Sequence, residues 1–250
     1  MIGRRFRWVE GQQGLHVVLP VKSLAQSKSR LAPLLAAQDR QKLTLAMCSD
    51  ILHLLRGSQT IQSISVVTRD AQVAALARAV DATVLVQQAD CGLTAAVETA
   101  AAHLARQRAD NLLYLPCDVP MLGYQDLEAL AHCAGRPSSI AIVPSHDGEG
   151  TNGLLCRPPQ GFPFAFEGNS FHRHRAAARA ANLCMQVLRL DGPALDIDKP
   201  DDVERFLKRS AGDPSVGLRT RRLLLDELQL RQEMAGPGGD FARQGFGMGL

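Results

Sequence analysis

Three carboxylates in two short stretches could hold a metal ion. They are Asp118 in Leu115-Pro-Cys-Asp-Val-Pro120, and Asp196 with Asp198 in Leu195-Asp-Ile-Asp-Lys-Pro200. Each stretch closes an apolar run that reads as a buried strand, so the acids are expected at one end of a sheet, where hard cations and phosphates bind. If Asp196-Ile-Asp198 is extended, its alternation puts both carboxylates on one face. A second chemistry lies in Leu19-Pro-Val-Lys-Ser-Leu-Ala-Gln-Ser-Lys-Ser-Arg-Leu31, where Lys22, Lys28 and Arg30 are separated by serines. A basic, serine-bearing loop after a first strand can wrap a triphosphate, its ammonium groups and backbone amides neutralising charge that would repel an attacking anion. A solvated basic loop would carry the same residues. The chain has neither the P-loop G-x-x-x-x-G-K nor the dinucleotide G-x-G-x-x-G. His146, His172 and His174 suit Mg²⁺ less well than oxygen ligands do, and the two in Phe171-His-Arg-His-Arg175 are expected to be phosphate contacts or solvated helix residues. Asp201 and Asp202 follow Pro200 at a helix start, where the helix dipole alone explains acids.

Elements able to position these groups alternate along the chain. Strands are expected near 15–21, 61–67, 83–87, 111–117, 139–144 and 186–190, and helices near 40–56, 71–79, 93–107, 124–134, 170–181 and 201–209. Such alternation is the mark of crossover units and a largely parallel sheet. In the first helix Leu43, Met47, Ile51 and Leu54 recur at helical spacing and form one apolar stripe. Arg157 to Gly168 holds three prolines and two glycines and is expected to be a loop or irregular hairpin. Residues 217–234 form an amphipathic pattern, with Leu218, Leu225 and Leu228 on one stripe and Leu224 at its edge. That helix could pack on its own domain or serve a homodimer. The final GPGGDFARQGFGMGL has the composition of a flexible end.

Composition narrows the classes. Charged residues are 21% and apolar residues 46% of the 250, ordinary globular usage, and a formal charge of +3 gives no argument for nucleic acid or a membrane surface. No run approaches the roughly 20 apolar residues of a spanning helix, and no secretory apolar core follows the first residues. The six cysteines lie far apart with no C-x-x-C pair, which suits reduced, mostly buried thiols in a cytoplasmic protein.

Taken in order, PVKSLAQSKSRLA, PCDVP, GEGTNGLL, EGNSFHRH and LDIDKPDDV resemble the phospholactate guanylyltransferase family of coenzyme F420 biosynthesis, over roughly residues 15–209. The resemblance implies an α/β fold: a single Rossmann-like nucleotidyltransferase domain of the glycosyltransferase-A-like kind, with a mixed, mostly parallel sheet flanked by helices. That domain would span 15–209, after an extension at 1–14 and before a helix and tail at 210–250. The implied reaction joins GMP from GTP to 2-phospho-L-lactate, phosphoenolpyruvate or 3-phospho-D-glycerate and releases pyrophosphate. It also implies two Mg²⁺ ions on Asp118, Asp196 and Asp198, catalytic support from Lys22 and Lys28, GTP contacts from Lys22, Lys28, Arg30 and Thr94, and acid-substrate contacts from Thr151, Glu167 and Ser170. Handover of the reactive product to the next enzyme of the pathway would follow naturally.

Two positions depart from the family's pattern. Glu167 stands where relatives usually carry glycine, so only its backbone is expected to meet substrate; Thr94 stands where they commonly carry asparagine at the nucleotide site. Alternative readings are a nucleotidyltransferase of the same fold with another acceptor, such as molybdenum cofactor or a sugar phosphate, and a non-catalytic nucleotide-binding subunit.

Overall fold

Leu15–Val21 forms the central strand β1, and its nearly unbroken apolar run is what a strand buried on both faces requires. In a computed structural model, which describes residues 14–87, 91–134, 139–213 and 215–235, β1 lies between β2 (Ile61–Thr68) and β4 (Leu112–Tyr114) and parallel to both. The remaining strands are β3 (Thr83–Leu85), β5 (Ser139–Pro144), β6 (Thr151–Cys156) and β7 (Cys184–Val187). They complete a seven-stranded sheet of order β3-β2-β1-β4-β6-β5-β7, in which only β6 runs antiparallel to its neighbours. Almost all of the expected amino-terminal extension, and the tail beyond 235, lie outside the described residues.

Helices α1 (Ala37–Gly57), α2 (Ala71–Ala79) and α4 (Tyr124–Ala134) cover one face, where Leu15, Val17, Leu19 and Val21 of β1 point. Helices α3 (Gly92–Arg106) and α5 (Ser170–Ala180) cover the other, meeting Val18. Alternate residues of one strand thus feed two cores. A third apolar cluster joins Leu31, Leu43, Met47, Ile197, Val203, Phe206 and Leu224, so it ties the loop after β1 to α1, α7 (Pro200–Ser210) and α8 (Leu218–Ala235).

The sequence-based expectation fails at five points. Strand β6 was not foreseen, because Thr151-Asn-Gly153 reads as a turn; all six of its residues are buried, and a Cβ on Gly153 would lie 3.1 Å from the Val143 side chain, tighter than an ordinary contact, so glycine suits the close packing of β5 against β6. The last strand lies at 184–187 rather than 186–190. Leu195–Asp198 is not a strand: it runs between the short helix α6 (Asp191–Ala194) and α7, where Leu195 and Ile197 serve the third cluster instead of a sheet face. Leu224 is the fully buried leucine among the described side chains of α8, with Leu223 packed beside it, whereas Leu218 is exposed; the side chain of Leu228 is outside the described residues. Of the cysteines, Cys48, Cys133 and Cys156 are buried, fewer than expected. No helix among the described residues is long and apolar enough to cross a membrane.

Candidate active site

In open α/β sheets ligands bind beyond the carboxyl ends of the strands, beside the point where strand order reverses. Here that point is β1, with β2 on one side and β4 on the other. The chain leaving β1 makes two 3-10 turns, Leu24–Gln26 and Ser29–Leu31, rather than an open loop. Lys28 sits between them with φ 52°, a left-handed conformation that a side chain adopts only when its surroundings hold it there. Two anchors do so. Asp70, the N-cap of α2, accepts from the Leu24 amide at 3.2 Å, and Leu31 is fully buried in the third cluster.

That cluster also fixes the acidic segment. Ile197 points into it while Asp196 and Asp198 face the other way, as the alternation requires, and the Ile197 amide donates to the Asp118 carbonyl at 3.0 Å. Asp202 accepts from the amides of Asp198 at 3.1 Å and Lys199 at 2.8 Å, capping α7 and setting the backbone on which Asp198 rides.

The three acids therefore meet at one end of the sheet, around an ammonium. Lys28 Nζ is 2.5 Å from Asp118 Oδ2 and 3.6 Å from Asp198 Oδ1, and Arg30 donates to Asp198 Oδ2 at 2.7 Å. Burial alone would lower the Lys28 ammonium, but the charges of Asp118 and Asp198 outweigh it and hold it well above its ordinary value. The Asp196 carboxyl is pushed up, first by burial and then by the Asp118 charge, with partial relief from Asn152, which donates to it at 3.0 Å. Among the described residues no three His, Cys, Asp or Glu side chains are grouped as a ready-made metal cage. The donor set is nonetheless all carboxylate oxygen, and it already organises around one positive charge.

Lys22 is exposed and lines a cleft of about 460 Å³ together with Ser23, Thr68, Arg69 and Gly92. Clefts of this size hold small organic ligands. The two departures from the family pattern turn out to be partners. Glu167 accepts from the Thr94 hydroxyl at 2.7 Å and the Thr94 amide at 3.3 Å, and the same hydroxyl accepts from the Phe166 amide at 3.0 Å. Helix α3 has no side-chain cap at Cys91, so Glu167 supplies the missing acceptor and a favourable negative charge from 73 positions away. The Thr94 hydrogen bond in turn is the main reason that the Glu167 carboxyl titrates below its usual range. Positive φ falls on Gly168 and Asn169 and not on Glu167.

Thr151 opens β6 and Ser170 opens α5, and the Ser170 hydroxyl donates to that of Thr151 at 3.1 Å. His174 lies behind them, fully buried, so it is neither a phosphate contact nor solvated. Its position was legible: Phe171, His174 and Ala178 share one helical face, and the other two belong to a core. His146 and His172 are exposed. Asn152, Asp202 and His174 are the participants that residue types alone did not reveal.

A seven-stranded, mostly parallel sheet with a basic turn, three converging acids and a cleft beyond β1 defines the nucleotidyltransferase fold. Solved structures agree on it. A Desulfovibrio desulfuricans G20 protein described as a nucleotide-diphospho-sugar transferase superposes with a TM-score of 0.72 at 16% identity, over 87% of this chain and 96% of that one. A nucleotidyl transferase from Methanothermobacter thermautotroptrophicus gives 0.58 at 15% identity, over 80% and 98%. Residues 15–217 match the family model described as "Guanylyl transferase CofC like", and the chain belongs to that family. It is 37% identical over 211 residues to the phosphoenolpyruvate guanylyltransferase of Conexibacter woesei, covering 83% of this chain and 93% of the relative. The Roseiflexus sp. RS-1 enzyme of the same name is 39% identical over 84% of this chain and 92% of its own. The 3-phospho-D-glycerate guanylyltransferase of Colwellia psychrerythraea is 33% identical, over 76% and 89%.

Proposed function

We propose that this protein transfers GMP from GTP to a phosphorylated three-carbon acid, as a cytoplasmic step in the assembly of an F420-type deazaflavin cofactor. The single observation that carries the reading is the Lys28 ammonium clasped by Asp118 and Asp198 at the switch point of a guanylyl transferase fold. An oxygen of the acid's phosphate attacks the α-phosphorus of GTP, a phosphoanhydride bond forms, and the bond to the β-phosphate oxygen breaks as pyrophosphate leaves. The attacking phosphate is already ionised, so no general base is needed; the obstacle is repulsion between polyanions. Lys22, Lys28 and Arg30, on the chain that leaves β1, would neutralise the triphosphate. Lys28 is kept charged across the working pH range by its acids, and a phosphate entering the site offers it an alternative partner.

The carboxylates of Asp118, Asp196 and Asp198 fit Mg²⁺ in donor chemistry and would hold it. The ion would supply further neutralisation of the transferring phosphoryl group. The Thr151 hydroxyl, with the backbone at Ser170 and Glu167, would receive the acid, and Thr94 with the cleft beyond β1 would receive the nucleoside. Phosphoenolpyruvate is the first acid to test, because it is named for relatives at 37% and 39% identity, with 3-phospho-D-glycerate next.

The test is pyrophosphate release with Mg²⁺, crossing GTP, ATP and CTP against phosphoenolpyruvate, 3-phospho-D-glycerate and 2-phospho-L-lactate. Turnover confined to GTP and one of these acids is expected. Asp118→Asn should lower it by about a hundredfold or more while leaving the melting temperature within a few degrees. Release with none of the acids, from folded protein that binds GTP, would sink the reading.

A further inference from the structure

We infer that His174 is a positioning residue that fixes the Thr151 hydroxyl as a hydrogen-bond donor to an anionic oxygen of the acid substrate. This inference rests on the acid subsite proposed above and deepens it. A backbone amide can only donate, and the Ala165 amide donates to His174 Nε2 at 3.0 Å. Nε2 is therefore unprotonated, and a neutral imidazole with a bare Nε2 carries its proton on Nδ1. Nδ1 lies 3.0 Å from Thr151 Oγ1, so it donates there. The Ser170 hydroxyl donates to the same oxygen at 3.1 Å. Both acceptor positions of Thr151 Oγ1 are thus filled, and the only hydrogen-bonding capacity left to this hydroxyl is its own proton. A donor fixed in this way suits a phosphate or carboxylate oxygen and disfavours a ligand that must itself donate.

Water does not compete for this relay. His174 is 0% exposed and lies between the rings of Phe166, at a centroid distance of 4.7 Å, and Phe162, at 5.8 Å. Burial first, and then the neighbouring Arg173 charge, keep the imidazole neutral against the weaker opposing pull of Glu167. The Ala165 bond also ties the loop before α5 to the subsite, so one side chain sets both the loop and the polarity of Thr151.

Two substitutions separate the halves of the relay. His174→Asn places an amide NH₂ near the Nδ1 position, retaining the donor to Thr151 while losing the Ala165 acceptor. His174→Gln places its carbonyl near Nε2, retaining the Ala165 bond while losing the donor. KM for the acid should rise about tenfold or more in His174→Gln and by no more than about threefold in His174→Asn, with KM for GTP unchanged in both. Equal acid KM in the two variants, or a matching rise in KM for GTP, would overturn the inference. Nitrogen-15 NMR of imidazole-labelled wild-type protein gives an answer independent of variant folding. A protonated Nδ1 with a bare Nε2 is expected at neutral pH, and an Nε2–H tautomer or an imidazolium refutes the relay. Thr151→Val identifies which premise fails: a raised acid KM upholds the subsite, whereas an unchanged acid KM overturns the subsite and this inference with it.

Discussion

Lys28 and Glu167 show how single charges are set by neighbours remote in sequence. Lys28 was legible as a basic residue after the first strand, and Asp118 and Asp198 as acids closing apolar runs. That the ammonium sits between those two acids depends on a left-handed residue and two 3-10 turns that no periodicity announces. Glu167 and Thr94 each departed from a family pattern, and only the fold makes them one unit. Glu167 is exposed and charged beside a subsite proposed to bind a trianionic acid, so its charge should weaken that binding. Glu167→Gln keeps an acceptor for Thr94 and removes the charge. KM for the acid is expected to fall a few-fold at low ionic strength, the equivalent of about 1 kcal/mol or less for an exposed charge, and the gain should shrink in salt. Initial rates at two salt concentrations check this, and an unchanged KM at low salt counts against it.

Among the elements, α8 and β6 were understood least from sequence alone. The leucine stripe of α8 was legible, but not its rotation. Leu224 faces inward because Asp50 of α1 accepts from the amides of Arg219 at 3.1 Å and Thr220 at 2.9 Å, and from the Thr220 hydroxyl at 2.8 Å. Those bonds cap the amino terminus of α8 from another helix and choose which leucine turns inward. Gly217 makes the entry possible: its φ is +60°, and a Cβ there would lie 2.9 Å from the Phe206 ring. Asp50→Ala leaves the α8 amides without their acceptor, and should cost about 1–2 kcal/mol, seen as a lower urea midpoint at unchanged m-value. Activity below the transition should change little, since the Asp50 carboxylate bonds Arg219 and Thr220 of α8 rather than the proposed metal and phosphate ligands. A midpoint equal to wild type would show that solvent caps α8 equally well. In β6 the Asn-Gly pair concealed a strand, because Gly153 serves close packing against Val143 rather than a turn.

Across the whole molecule the sheet supplies one binding edge, and the third apolar cluster couples it to α1, α7 and α8. Buried titrating groups beside that edge also make stability depend on pH. His174 is lowered to about 4 from 6.5, so between these values the unfolded chain binds the extra proton. Stability is therefore full above about pH 6.5 and is lost as pH falls toward 4, with a limiting slope of about 1.4 kcal/mol per pH unit from this group. Asp196, raised by burial and by Asp118, acts in the opposite sense, since the folded chain binds its proton first on acidification. Urea midpoints measured from pH 7 to pH 4 should fall, and His174→Gln should show a shallower decline. Parallel declines in the two proteins would show that other groups govern acid unfolding.

What the sequence determined by itself was local and periodic: the alternation of strand and helix, the apolar face of α1, the extended alternation of Asp196-Ile-Asp198, and a basic turn after β1. These follow from side-chain spacing along the backbone, which a linear chain carries in full. The tertiary structure alone decided the antiparallel insertion of β6, the inward face of α8, the Lys28 clasp, the Glu167–Thr94 pairing and the bond of His174 to Thr151. The partners lie apart in the chain, by 23 residues for His174 and Thr151 and by 170 for Thr220 and Asp50, and their geometry is set by which apolar surfaces pack together.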